Sequence, residues 1–328
     1  MLYDGIVLIK SLGCDISDVN ELINMLSNNG RFKYLKLNEN PNLEKEKIEH
    51  IIKKNKIPVI LSSLDIYSND IEQWNFKFMT VLIYKAGENI DIEWKKCIYS
   101  IANKSIENTC RLLVKLWELQ CTGGGFSRSL IELMIDCDLL VKNGNKCNIS
   151  NASYDLSLGD EYYYAGNINS LNDKSPFVAI EPYDYVIASC AEKVQMPRDV
   201  VGRFDVSVNL FCQGIILSNS TQVDPGFRGK LFCLLFNTSN KVVYLKRGTH
   251  FVTLEFNKLI EPTTAYNGKY ENEDSIVAYL PSNVMQGAIN ELKKEIEKLR
   301  SENQKMQGIY LSALALFLAI ISIFLVIK

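Results

Sequence analysis

Two hydrophobic periods alternate along the first third of the chain. YDGIVLIKSL (3–12) is an apolar run of strand length, and ISDVNELINMLSNNG (16–30) carries apolar residues at helical spacing and stops at a glycine. FKYLKL, NLEKEKIEHIIKKN and IPVILSSL repeat the strand–helix–strand order, and FMTVLIYKA adds a further strand. A long helix is expected from about Asp91 to Gln120, with Ile98, Ile101, Leu112, Leu113 and Leu116 near one face. This alternation predicts a small α/β layer domain over residues 1–121 with parallel pairing. Its first turn, SLGCDIS, has neither phosphate-loop pattern, so no motif supports nucleotide binding there. Cys14 and Asp15 fall at the end of the first strand, where open parallel sheets hold ligands. An ordinary surface turn is the favoured reading of them, and the domain's role stays open.

TGGGFS (122–127) reads as a flexible junction. SRSLIELMIDCDLLV then gives a short helix and strand. A series of short β segments follows as far as Leu259, broken by NG, PYD, DPG, NTSN and RG turns. That spacing predicts an all-β barrel or sandwich. Beyond it, Met285, Ile289, Leu292, Ile296, Leu299, Asn303 and Met306 step by four and three, the seam of a coiled coil over 285–307. Isoleucine and leucine at alternate seam positions favour two strands, and Asn303 would set their register. A solvated helix packed on its own domain is the competing reading. The final run, Ile309 to Ile327, is uncharged and almost wholly apolar, close to the roughly 20 residues that cross a bilayer core. It predicts a transmembrane helix acting as a single-pass C-terminal anchor. Lys293, Lys294, Lys298, Arg300 and Lys305 before it predict a cytoplasmic main body.

Composition narrows the chemistry. A net charge of −2 over 328 residues offers no basic field, so nucleic acid is not an expected partner. The nine cysteines form no C-x-x-C pair and the two histidines, His50 and His250, stand apart, so no zinc pattern is present and no metal ligands are expected. Scattered cysteines without a framework suit a reducing compartment. The N-terminus lacks the basic and apolar regions of a signal peptide.

Several phrases between Ser127 and Leu280, in order, carry a family likeness: SRSLIELMIDCDLLV, NISNASYDLSLGDEYYY, IEPYDYVIASCAEKVQMPRDVVGRFD, VDPGFRGKLFCLLFNTSN, KRGTHFVTLEFNKL and AYNGKY. Together they resemble the dCTP deaminase branch of the dUTPase superfamily. The resemblance implies a distorted β-barrel over 127–280 that forms homo-oligomers, usually trimers, with sites shared between subunits. It also implies Mg²⁺ as a cofactor, but only if a nucleoside triphosphate binds.

Zinc-free deamination of cytosine needs a carboxylate that carries a proton between water, ring and leaving ammonia. The family places a glutamate for this on the strand after the Asp-Pro-Gly turn, where this chain has Leu234. The family's phosphate-gripping Gly-Arg-Ser-Ser-Leu-Ala-Arg segment falls on Val206 to Cys212. Its arginines are replaced by Ser207 and Cys212 and its serines by Val208 and Asn209. Asp224 and Phe227 occupy the place of the water-activating turn of dUTPases, but the deaminase branch keeps that aspartate as a turn residue, so no catalytic residue is assigned. In the lid-like segment Tyr266, Lys269 and Tyr270 match nucleotide-contacting positions, and Glu273 replaces a glutamine. Lys269 would meet a phosphate, whereas Glu273 would repel one or prefer a base amine. Val208, Asn209, Asp224, Phe227, Tyr266, Lys269, Tyr270 and Glu273 are therefore the candidate nucleotide contacts, while Arg198, Arg203, Arg228 and Arg247 are expected to form surface pairs.

Three functions follow from this. The chain is a catalytically degenerate, pseudoenzyme-like barrel that binds a deoxynucleotide and signals its presence. Alternatively it is an active deaminase or hydrolase with a rearranged site, or a trimerising membrane scaffold. Loss of the proton carrier alongside a retained lid favours the first.

Overall fold

The computed structural model describes residues 6–36, 41–54, 57–62, 78–85, 97–120, 122–218, 222–280 and 288–326. Met285 and Ile327 lie outside them. The N-terminal region runs β1 (Ile6–Leu12), α1 (Ile16–Asn28), β2 (Phe32–Lys36), α2 (Pro41–Lys53), β3 (Ile57–Ser62), β4 (Phe78–Lys85), β5 (Tyr99–Asn103) and α3 (Ile106–Glu118). Its strands pair in the order β2-β3-β1-β4-β5, all parallel. Val7, Leu8 and Ile9 of β1 are buried in succession, as a strand covered on both faces requires. Helix α1 covers the sheet with Val19, Leu22, Ile23 and Leu26, and α3 with Leu112, Leu113, Leu116 and Trp117. Gly30, at φ +74°, lets the chain turn away after α1, as its glycine stop implied.

The long helix expected from Asp91 is not formed. Residues 86–96 lie outside the described set, Ile101 sits in strand β5, Ile98 immediately precedes it, and the helix starts only at Ile106. Tyr99, Ile101 and their neighbours are buried on consecutive positions, a pattern of a covered strand, and the Ser105 hydroxyl accepts from the Asn108 N–H to begin the helix.

The remaining elements are β6 (Gly124–Gly125), α4 (Arg128–Asp136), β7 (Leu140–Lys142), β8 (Ser153–Tyr164), β9 (Asn167–Ser170), β10 (Phe177–Ile180), β11 (Tyr185–Gln195), β12 (Val200–Val206), α5 (Val208–Cys212), β13 (Ile215–Leu217), β14 (Gln222–Val223), β15 (Arg228–Asn237), β16 (Val243–Lys246), β17 (His250–Lys258) and α6 (Ala288–Val326). The strands form a largely antiparallel β fold in the order β13-β15-β11-β8-β17-β12-β14, with β6, β7 and β9 on its flanks and β10-β16 as a separate pair. Where β8 crosses β11, a Cβ on Gly159 would lie 2.6 Å from the Ser189 hydroxyl and 2.9 Å from the Cys190 carbonyl oxygen, so only glycine lets these strands approach. The TGGGFS junction is not free: β6 pairs with β17, and Phe126 is buried with its N–H donated to the Phe256 carbonyl.

The α/β region and the β fold share one hydrophobic core, which runs from Leu112 and Leu116 through Phe126 and Leu130 to Tyr154. Polar links cross the same boundary. The Ala102 N–H donates to Cys137 O at 3.0 Å, the Arg198 N–H to Ile98 O at 3.2 Å, and Lys104 pairs with Asp138 at 2.6 Å. At its centre Tyr99 donates to the Asp199 carboxylate, which also pairs with Lys258 at 3.1 Å; the two charged side chains are 0% and 4% exposed. Burial raises the Asp199 carboxyl above its usual range, against the opposing pull of Lys258.

Helix α6 is unbroken over 39 residues and joins the seam to the apolar run. Ile296, Leu299 and Met306 of the seam are exposed, as are Leu311, Leu314, Leu316, Phe317 and Leu318 beyond it. Among the described residues no helix is long and apolar enough to cross a membrane. The expected span at 309–327 runs past residue 319, the last of its side chains that the structure describes.

Candidate functional site

Sheet register decides what faces the cavity of this site. In the antiparallel pair of β11 and β15, Ile187 lies opposite Leu234 and Ser189 opposite Phe232. Residues opposite each other share a face, and so do residues two apart, so Ile187, Phe232 and Leu234 project together. They enter a cavity of about 500 Å³, also walled by Phe204 of β12, by Gln222, Val223, Asp224 and Phe227 around β14 and the following turn, and by Leu231. Tyr266, Tyr270 and Tyr279 close it from the segment that follows β17.

The Asp-Pro-Gly-Phe turn brings two of these walls together. The Phe227 N–H donates to Asp224 O at 3.1 Å and the Tyr266 N–H to Pro225 O at 2.9 Å. Gly226 has φ +74°, and a Cβ there would stand 2.7 Å from the Ala265 Cα, so a bare backbone is required. Phe227 and Tyr266 then meet edge to face at 5.3 Å.

The strap 266–280 is fastened at several points. Tyr270 stacks on Tyr279 at 4.4 Å, and Tyr279 lies 4.3 Å from Phe232. The Tyr279 hydroxyl donates to Lys230 O at 3.2 Å. The Glu161 carboxylate accepts from the Ser275 hydroxyl at 3.0 Å and the Ile276 N–H at 2.6 Å, and Ile276 is fully buried. Lys193 pairs with Asp274 outside. Burial first, then the neighbouring Tyr266 and Glu273, push the Tyr279 phenol well above its ordinary pKa, so it stays a neutral donor.

Polar chemistry in the cavity is sparse. The Gln222 amide donates to Asp224 Oδ1 at 2.8 Å, and among the described residues no lysine, arginine or histidine lines the walls. Among the described residues no cluster of three or more His, Cys, Asp or Glu could hold a metal ion. Asp224 is the carboxylate among the described wall residues, and it is engaged by Gln222.

Of the candidate contacts, the structure brings Asp224, Phe227, Tyr266 and Tyr270 together with Leu234. Val208 and Asn209 lie on the short helix α5, away from these walls; Val208 is 77% exposed and the Asn209 side chain accepts from the Gln213 amide. Lys269 is also outside the cavity, with its ammonium 4.6 Å from the Tyr270 ring centre. Glu273 serves through its backbone, whose carbonyl accepts from the Lys230 N–H at 3.2 Å. Among the arginines, Arg247 forms the expected surface pairs with Asp160 and Asp173, whereas Arg198 donates to the Thr263 carbonyl and Arg203 is exposed. Arg228 departs from the expectation and is buried, because it opens β15 inside the fold. Ile187, Phe204, Phe232 and Tyr279 were not foreseen as wall residues; the alternation of apolar residues along their strands was the available signal for the first three.

The model of dCTP deaminase-like domains matches residues 127–259. A dCTP deaminase of Pyrococcus horikoshii is 33% identical over 141 residues, which cover 43% of this chain and 89% of that protein. The chain belongs to the dCTP deaminase-like family. A second dCTP deaminase, from Thermococcus gammatolerans, is 34% identical over 43% of this chain and 90% of its own length. A dUMP-forming dCTP deaminase of Aquifex aeolicus is 27% identical over 51% of the chain and 97% of its own. In this dCTP deaminase-like protein the family match runs from α4 to β17. The α/β region, the strap and α6 fall outside it.

Proposed function

We propose that this protein is a membrane-anchored homo-oligomer whose deaminase-like barrel recognises a deoxynucleotide without deaminating it. Leu234 carries the reading. It occupies the place of the family's proton-carrying glutamate, and it faces the cavity beside Ile187 and Phe232. A leucine there cannot move a proton, and its neighbours Ile187 and Phe232 carry no titratable group to substitute. Among the described residues Asp224 is the only carboxylate on the walls, and it is held by Gln222. Aromatic faces and a fastened strap remain, and these suit binding of a flat base.

The anchor is supported by the apolar run Ile309–Ile327, whose residues as far as Val326 continue α6 directly from the charged seam, and by the exposure of its described leucines. The basic residues before the run favour a cytoplasmic body. Homo-oligomerisation is supported by the exposed seam, whose pattern favours a dimer, and by the family, which favours a trimer. Mg²⁺ would enter only with a triphosphate.

The test pairs calorimetric titration of the full-length protein in detergent with an assay of ammonia release from dCTP and Mg²⁺. Binding of a deoxynucleoside or its phosphates, without ammonia above background, is the expected result. Turnover by the wild-type chain would overturn the non-catalytic reading.

A further inference from the structure

We propose that a second cavity, at the boundary between the α/β region and the β fold, binds a small organic phosphate. It encloses about 690 Å³ and shares no wall residue with the aromatic cavity, so it stands apart from nucleotide recognition there. Its walls come from α1, α3, the TGGGFS junction and the start of α4. Its volume lies within the roughly 300–1,000 Å³ span of small-molecule sites.

The walls combine an apolar part with a basic one. Val114, Leu119, Phe126, Leu130 and Leu133 are buried or half-buried and supply the apolar part. Arg111 and Lys115 stand four apart on α3 and share one face of that helix. Arg111 is exposed, and among the described residues no carboxylate pairs with it. The Glu118 carboxylate on the same wall is already taken up by Arg31 at 3.3 Å and Lys115 at 3.6 Å. Lys258 also reaches the cavity, but Asp199 pairs with it.

The junction adds a bare backbone. Gly123, Gly124 and Gly125 all line the cavity, and the fold explains two of them. A Cβ on Gly123 would press on the Lys258 carbonyl oxygen at 3.3 Å, and Gly124 has φ +127°. Gly125 has neither reason: its φ is outside the left-handed region, and a Cβ there would meet Asn257 Oδ1 at an ordinary 3.7 Å. A glycine that the backbone does not need leaves room and exposed peptide groups beside the cavity, as phosphate-cradling loops do. Ser127 immediately precedes α4, yet its hydroxyl caps no backbone N–H and meets the Ser129 hydroxyl at 3.2 Å instead; both serines are exposed and line the cavity. Hydroxyls, cations and bare backbone from separate elements suit the three terminal oxygens of a phosphate monoester, with its charge of about −1.5 to −2 at pH 7. The apolar walls suit the body that carries it. Because the walls belong to both sides of the boundary, a bound ligand would hold the α/β region to the β fold.

The experiment is calorimetric titration of the full-length protein in detergent with phenyl phosphate, inorganic phosphate and benzoate. Phenyl phosphate is expected to bind at least about tenfold more tightly than inorganic phosphate, which lacks the apolar body, and than benzoate, which lacks the third oxygen and second charge. Arg111→Gln and Gly125→Ala should each weaken phenyl phosphate at least about tenfold while leaving the melting temperature of the free protein within about 2 °C. If Gly125→Ala lowers the melting temperature further, Arg111→Gln, at an exposed helix position, carries the test. Absence of phenyl phosphate binding up to about 10 mM, or binding that Arg111→Gln leaves unchanged, would overturn the proposal. Benzoate binding as tightly as phenyl phosphate would overturn the assignment to phosphates.

Discussion

Lys258→Met would test the buried joint between the α/β region and the β fold. In the wild-type chain the Lys258 ammonium lies 3.1 Å from the Asp199 carboxylate, with side-chain exposures of 4% and 0%. Removing the cation leaves Asp199 with the Tyr99 hydroxyl as its remaining side-chain partner. Breaking one side of such a buried pair costs about 3–5 kcal/mol. At roughly 2–4 °C per kcal/mol for a unit of this size, the melting temperature should fall by about 6–20 °C at pH 7.5. The pH dependence has a fixed sign. Burial already raises the Asp199 pKa, and loss of Lys258 raises it further. A raised folded-state pKa favours the protonated folded protein, so the stabilising effect of protonation is full below the unfolded value of about 4 and is lost as pH rises through the folded value. The penalty from the substitution should therefore be smaller at pH 5 than at pH 7.5. Asp199→Asn combined with Lys258→Met should regain part of the loss, because no charge is then left buried. Thermal melts followed by intrinsic tryptophan fluorescence read all three variants. A fall of less than about 2 °C, or equal falls at both pH values, would refute the claim that this pair is desolvated.

Leu234→Glu alone should not create deaminase activity, since Val206 to Cys212 holds no arginine or lysine, and it should lower stability by about 2–4 kcal/mol because its carboxyl enters a largely apolar wall. Ammonia release and thermal melts check the two halves. Gly226→Ala should cost at least about 2 kcal/mol, from a Cβ 2.7 Å from Ala265 Cα and a backbone at φ +74°, measured by denaturant titration. Cys147 and Cys212 are exposed and should alkylate readily at pH 8. Cys137, pushed up to about 12 by burial and then by Asp136 and Asp138, is only ~10⁻⁴ thiolate there and should react after unfolding; mass spectrometry of the alkylated peptides reads the order. A chain ending at Leu280 should stay in the aqueous phase when mixed with vesicles, whereas the full chain should sediment with them.

Local pattern was enough to place much of the fold. Consecutive burial in β1 and the helical spacing of Val19, Leu22 and Leu26 follow directly from side-chain periodicity. The segment before α3 defeated the same reasoning. Ile98 and Ile101 are three apart, which fits a helix, yet Ile101 lies in the covered strand β5 and Ile98 just before it, where burial is set by partners far along the chain. At the site, Asp224, Phe227, Tyr266 and Tyr270 were legible because motifs mark them. Ile187 and Phe232 were not, because their placement depends on the β11–β15 register. The Tyr99–Asp199–Lys258 joint was also hidden: Asp199 looks like any acidic turn residue until two distant segments, at Tyr99 and Lys258, meet it.

Helix α6 has no joint. Its 39 residues extend about 58 Å at 1.5 Å per residue, nearly twice the roughly 30 Å depth of a bilayer's hydrocarbon. The step that carries Ile289 to Ile296 and Asn303 continues to Tyr310 and Phe317, and the step from Leu299 to Met306 continues to Ala313. An unbroken rod therefore fixes the azimuth of its apolar end from its charged end. A partner that met Ile296 and Leu299 would find Tyr310, Ala313 and Phe317 displaced from that stripe by only about 20° per heptad. A turn of one end about the axis would reappear at the other, with no slack in between.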